Sequence, residues 1–168
     1  FNERRGKANV LNDLVKSAKG EILIFTDANT VYNTNAIKEL VKYFVDDRIG
    51  GVCGKLVLLD LEKAKKDGSQ EKEYWEYESW VKNVEGKLGI LIGANGGIYS
   101  IRRNLYQNIP SEFPVMDDFF ISLKVLEQFK DMTYANEAIA TEYVAPSVKW
   151  EFKRKVRTLN RGMHALFS

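Results

Sequence analysis

Hydrophobic positions along the chain fall into two alternating periods. Ala8, Val10, Leu11, Leu14, Val15 and Ala18 recur at helical spacing, and Gly20 supplies a helix stop. Ile22, Leu23, Ile24 and Phe25 follow as an unbroken apolar run, bounded by Gly20 and by the polar cluster Thr26-Asp27-Ala28-Asn29-Thr30. That pattern predicts a short strand buried on both faces, of the kind found in parallel sheets. Ile37, Leu40, Val41, Phe44 and Val45 return to helical spacing, in a helix that opens near Thr34 and ends at Asp46-Asp47. Residues 52–59 read as a second buried strand, interrupted at Gly54.

A polar stretch over 61–72, with Gly68-Ser69 at its centre, predicts an exposed loop between two halves of the chain. Tyr74, Trp75, Tyr77, Trp80, Val81 and Val84 then lie along a helix, where aromatic packing in the core is favoured over a sugar or lipid platform. Ile98-Tyr99-Ser100-Ile101 alternates as a strand closed by Arg102-Arg103. Pro110 and Pro114 frame a loop that leads to Asp117-Asp118. Phe119, Phe120, Leu123, Leu126 and Phe129 mark the helix that follows, and residues 138–144 a last short strand. Phe152, Val156, Leu159, Met163 and Phe167 form one stripe beside Lys153, Arg154, Arg157 and Arg161, the pattern of a basic amphipathic helix.

Composition narrows the classes. The length of 168 residues suits one domain with a real core, and a net charge of +2 is too small to imply a nucleic-acid partner. Cys53 is the single cysteine and His164 the single histidine, which rules out an internal disulfide and a His-rich metal site and fits a reducing compartment. No apolar run approaches the roughly 18 residues of a membrane span. The chain starts at Phe1 and enters a charged run without a preceding strand, so it reads as part of a longer protein.

Three places carry candidate chemistry. Asp27 and Asn29 stand where the first strand should end, and in open α/β sheets ligands gather beyond the carboxyl ends of strands. Two oxygen-bearing side chains there suit a hard divalent cation on a phosphate, but the same residues also build turns, and both accounts stay open. Gly93-Ala94-Asn95-Gly96-Gly97 has little side chain and could bring backbone N–H groups close to a ligand, or be a flexible turn. Asp117 and Asp118 start a helix. Capping there is worth about 0.3 to 1 kcal/mol, whereas the functional account is a general base that helix N–H groups keep ionised. Gly6-Lys7 is no phosphate loop, because Ala8 stands where Ser or Thr is needed and the upstream glycine is missing.

Thr26-Asp27-Ala28-Asn29-Thr30, the run from Gly93 to Arg103, Asp117-Asp118 and Arg154-Lys155-Val156-Arg157 together resemble the family 2 glycosyltransferases, most closely the membrane-associated branch of polysaccharide synthases. The resemblance implies a GT-A fold: α/β, Rossmann-like, with a mostly parallel sheet flanked by helices and incomplete at the N-terminus. It divides the chain into a nucleotide-sugar half over 1–60, an acceptor half over 73–150 and the basic helix over 151–168.

The resemblance also implies roles. Asp27 and Asn29 match the Asp-X-Asp motif that holds Mg2+ or Mn2+ on the donor diphosphate, with Asn29 replacing the second acid. Lys7 matches a basic position near the nucleotide. Asp118 matches the general base of an inverting transfer, with Asp117 beside it. Gly93, Ala94, Asn95 and Gly96 match an acceptor-side loop. Arg154, Lys155 and Arg157 match a cationic motif facing the diphosphate, with Thr158 in place of its Trp. The implied partners are a nucleotide-diphosphate sugar and a carbohydrate or lipid-linked acceptor. The complete protein is expected at the cytoplasmic face of the cell membrane, and a bare sheet edge in this piece offers a route to homo-oligomers. Two rivals stand beside this: a non-catalytic sugar-nucleotide-binding or scaffold member, and a membrane-surface or nucleic-acid module built on the basic helix.

Overall fold

The computed structural model describes residues 5–59, 69–111, 116–143 and 156. Residues 61–68 of the loop expected over 61–72, the Pro114 region and the basic segment over 151–168, residue 156 apart, lie outside the described residues, while residues 69–72 are helical. Four helices and five strands are described: α1 (Lys7–Ser17), β1 (Ile22–Phe25), β2 (Thr30–Tyr32), α2 (Ala36–Val41), β3 (Ile49–Leu59), α3 (Ser69–Lys87), β4 (Tyr99–Arg102), α4 (Asp117–Glu127) and β5 (Asp131–Tyr143). Short 3-10 turns extend α2 over Lys42–Val45 and follow β4 over Arg103–Leu105.

The strands form one sheet in the order β1-β4-β3-β5-β2. Side-chain alternation along them divides the apolar residues between its two faces. On one face Leu23, Phe25, Cys53, Tyr99, Ile101 and Met132 pack with Ile121 and Val125 of α4, and Leu11 and Val15 of α1 lie against them. On the other, Val52, Ile98 and Ala140 pack with Ala36 and Leu40 of α2. Helices therefore cover both faces, as the α/β reading requires.

Strand direction departs from expectation. Only β3 and β5 run parallel; β1 with β4, β3 with β4, and β2 with β5 are antiparallel. The described sheet is mixed, not mostly parallel. β1 stands at one end of the strand order with β4 as its described partner, and within it Leu23 and Phe25 are buried while Ile24 is 36% exposed. A run of four apolar residues encodes burial but not direction, so the same pattern serves a central parallel strand and this antiparallel one.

Three further elements differ from the sequence reading. β2 was not expected, because three residues after a polar turn carry no periodic signal. β5 is 13 residues long where a short strand over 138–144 was expected; its first half is polar enough to read as loop. Tyr77 and Trp80, expected in the core, are 64% and 61% exposed and stack on each other at 6.0 Å, and α3 already begins at Ser69. Helical spacing of aromatics marks a face without saying which way it turns.

Gly54 is where β3 changes register against β5, its partner shifting from Ala135 to Ile139 one residue later. A Cβ at Gly54 would stand 2.7 Å from the Ala138 carbonyl oxygen and 2.7 Å from Ile98. The close approach at this register shift thus requires glycine, and on the other edge of β3 the Gly54 N–H donates to the Ile98 carbonyl oxygen at 2.9 Å. Gly54→Ala is expected to cost about 1 to 3 kcal/mol through overpacking against backbone, read as a lowered urea midpoint; an unchanged midpoint would contradict the close approach.

Candidate active site

Four stretches far apart in sequence converge at the end of β1 and the start of α1. Asp27 leaves β1 in a turn closed by the Thr30 N–H donating to the Asp27 carbonyl oxygen at 3.1 Å. Lys7 opens α1, and its ammonium lies 3.2 Å from Asp27 Oδ1 and 2.9 Å from Asp117 Oδ2. Asp117 and Asp118 form the first turn of α4. Gly96 completes the cluster: a Cβ built there would lie 2.9 Å from Asp118 Oδ2 and 3.6 Å from Asp27 Oδ2. The two carboxylates expected on donor and acceptor sides therefore face one point, at a residue with no side chain.

The glycine-rich loop is not a free turn. The Gly93 carbonyl oxygen accepts from Lys82 Nζ of α3, and the Ala94 N–H donates to Ser122 Oγ of α4 at 3.3 Å. The Asn95 N–H donates to Cys53 Sγ at 3.1 Å, and its Nδ2 donates to the Gly54 carbonyl oxygen at 2.8 Å. The Ile98 N–H closes the loop onto the Asn95 carbonyl oxygen at 2.9 Å. With its neighbours bonded to three elements, Gly96 is held against the carboxylates.

Electrostatics sort the acids. Burial, then the neighbouring Asp117 carboxylate, pushes the Asp118 pKa above the usual aspartate range; the Phe119 N–H donating to its Oδ1 at 2.8 Å and the Lys7 charge pull the other way without prevailing. The expectation that helix N–H groups would set the balance at Asp118 is thus corrected: one N–H bond is outweighed by desolvation and a like charge. Burial also disfavours the Lys7 ammonium, but Asp117 and Asp27 more than compensate, and its pKa is raised. The Lys7–Asp27 pair is half-exposed, so by itself it adds little to stability, on the order of 0 to 1 kcal/mol. Its consequence is placement of positive charge among three negative groups.

Asn29 is turned toward β5, where its Nδ2 donates to Glu142 Oε1. Its carbonyl oxygen and the Asp27 carboxylate are the oxygens this turn can offer a cation. No group of three or more His, Cys, Asp or Glu side chains suited to a metal is found among the described residues. Arg154, Lys155 and Arg157 lie outside the described residues.

Several neighbours of the site were missed from sequence. Tyr99 is 1% exposed and stacks on Phe25 at 4.7 Å, and its hydroxyl has no hydrogen-bond partner among the described residues. Burial, then Asp117 and Asp118, raises its pKa well above the usual value. Tyr106 is pushed up to about 12 by burial and by Asp117. Ser122 and Lys82 support the loop. Nothing in the spacing of Ser122, Lys82 or Glu142 distinguishes them from ordinary helix and strand positions, and the alternation that marked the strand at Tyr99 did not mark Tyr99 as a neighbour of the site.

Comparison with known proteins adds two findings. The sequence profile of the family described as Glycosyl transferase family 2 matches residues 1–110. Among solved structures, the mannosyltransferase PcManGT from Pyrobaculum calidifontis, in complex with GDP-Man and Mn2+, superposes with a TM-score of 0.74 at 20% identity, over 99% of this chain and 45% of that one. Glucosyl-3-phosphoglycerate synthase from Mycobacterium tuberculosis, in complex with Mn2+, UDP and glucosyl-3-phosphoglycerate, does so with a TM-score of 0.62 at 14% identity, over 99% and 55%. At these identities the likeness establishes the shared fold, and the chain spans about half the length of each. A search of curated proteins returns no match.

The raised pKa of Asp118 has a definite sign for stability. With the folded value above the unfolded one, its contribution is fully present below the unfolded pKa and is lost as pH rises through the folded pKa. Asp118→Asn removes that loss. Its melting temperature is expected to rise relative to the parent protein as pH climbs from the ordinary aspartate range to neutrality; a constant offset across that range would contradict the shift.

Proposed function

The chain belongs to glycosyl transferase family 2, and from that premise we propose that it moves a sugar from a nucleotide-diphosphate sugar to a carbohydrate or lipid-linked acceptor, with inversion at the anomeric carbon. The observation that carries the reading is Gly96, whose missing side chain leaves Asp27 and Asp118 facing one point. Inversion needs a carboxylate across from the leaving group, because the acceptor hydroxyl must give up its proton as its oxygen attacks. Asp118 takes that proton in this reading; its raised pKa brings it toward the pH at which a base both accepts and later releases a proton efficiently. Asp117, paired with Lys7, stays beside it as a charge that Lys7 balances. The loop anchored by Ala94 and Asn95 supports the acceptor sugar.

Donor binding falls to the other side. In this reading Lys7 meets diphosphate oxygens, and Asp27 with the Asn29 carbonyl offers hard oxygen donors that suit Mg2+ or Mn2+. The fit is supported by the ammonium that Asp27 already attracts, which marks the spot as favourable to a cation. Bound there, the ion would supply neutralisation of charge on the departing diphosphate. GDP-Man and UDP-Glc, each seen with Mn2+ in a structural relative, are the first donors to try. A polysaccharide or glycolipid product made at the cytoplasmic face of a membrane extends the proposal. That part rests on the resemblance at Arg154, Lys155 and Arg157; among the described residues, no helix is long and apolar enough to cross a membrane.

A non-catalytic sugar-nucleotide binder is the second reading, favoured by the engagement of Asn29 with Glu142. One experiment separates the two: GDP-mannose and UDP-glucose are offered to the complete protein with Mn2+ or Mg2+, and nucleoside diphosphate release is followed. Turnover is expected, and Asp118→Asn should lower it by about 10² to 10⁴ while donor affinity holds. Binding without turnover supports the scaffold reading, and a loss below about tenfold removes Asp118 as the base.

A further inference from the structure

Ser122 stands on α4 one turn after Asp118 and is fully buried. Its Oγ–H donates to the Asp118 carbonyl oxygen at 2.7 Å, and Ser122 Oγ in turn accepts the Ala94 N–H at 3.3 Å. A helical serine commonly bonds back to the carbonyl four residues earlier, and that half of the arrangement alone implies nothing about function. The other half does. Ala94 is 7% exposed and belongs to the loop that places Gly96 against Asp118 Oδ2, so one hydroxyl joins the backbone of the base to the backbone facing it. The other side-chain anchors of the loop go to α3 through Lys82 and to β3 through Cys53 and Gly54. Among the described side-chain hydrogen bonds, Ser122 is the loop's link to α4.

We propose that Ser122 is a positioning residue for glycosyl transfer, setting the separation between the Asp118 carboxylate and the acceptor-side loop through this shared hydroxyl. The proposal rests on the assignment of Asp118 as general base. Ser122 touches no reacting atom; it acts through Asp118 and through Ala94. Without the hydroxyl, the Ala94 N–H is left buried and unpaired, and relief comes by shifting the loop away from α4. Such a shift changes the distance that proton transfer depends on, while Lys7 and Asp27, on α1 and after β1, keep their geometry for the donor.

The test is a double-mutant cycle on the complete protein, reading GDP release from GDP-mannose or UDP release from UDP-glucose with Mn2+. Ser122→Ala is expected to lower kcat by about 10- to 100-fold, the scale of a misplacement of about 1 Å, with donor KM changed by less than about threefold. In the Asp118→Asn background the same substitution should change kcat by less than about twofold, because a residue acting through a carboxylate has nothing to position once it is gone. Ser122→Cys, close in volume and a weak hydrogen-bonding group, guards against misfolding and should fall between the two. Independently of turnover, the Ala94 amide should exchange its hydrogen faster in Ser122→Ala. Equal losses in both backgrounds, or a Ser122→Ala enzyme at the parent rate with a protected Ala94 amide, would overturn the bridge alone. An Asp118→Asn enzyme at the parent rate would overturn the base assignment and the proposal with it.

Discussion

Negative charge is the constraint on which the site depends. Asp27, Asp117 and Asp118 arrive from the end of one strand and the start of one helix, and carboxylates brought together in partly buried surroundings oppose one another's ionisation. The Lys7 ammonium, between Asp27 and Asp117, lets the arrangement exist. Burial first, and then the negative charge that Lys7 does not cancel, raise the pKa of Asp118. A lysine that looks like a surface residue in the sequence is therefore the electrostatic link between the donor and acceptor sides.

The sheet makes this meeting geometrically possible. Because β1 and β4 are antiparallel, with Phe25 opposite Tyr99, the chain leaves β1 at the same end at which it enters β4. Asp27 and the loop before β4 are neighbours for that reason. Had the strands been parallel, the loop would lie at the far end of β1 from Asp27. Gly54 adds the second condition: on the β4 side of β3 its carbonyl oxygen accepts from Asn95 Nδ2 and its N–H donates to the Ile98 carbonyl oxygen, docking the loop onto β3.

Rigidity then matters more than charge at the acceptor side. Residues 93–97 contain three glycines, and an unanchored segment of that composition would sample many conformations at a large entropic cost of ordering. The anchors at Lys82, Ser122, Cys53 and Gly54 meet that cost during folding, before any ligand arrives. Pre-organised surroundings of this sort are what a proton transfer needs, since the productive distance is narrow.

By itself, the sequence determined the helices α1, α2 and α4, the apolar strands β1, β3 and β4, and that Asp27, Asp118 and the glycine-rich loop lie at element ends; β2 and the first half of β5 escaped it. Apolar period and polar punctuation are local properties, and each of those residues sits where a period breaks. Tertiary structure decided strand direction, the outward turn of Tyr77 and Trp80, the pairing of Asn29 with Glu142, the clamping of the loop by Ser122 and the upward shift of Asp118. None of these is local. Direction depends on how distant strands pair, exposure on what else reaches a helix face, and a pKa on every charge and every shell of lost water around the group. A serine at a helical position reads the same whether its hydroxyl bonds only its own helix or also holds a loop against a base; the difference lies in a residue 28 positions away.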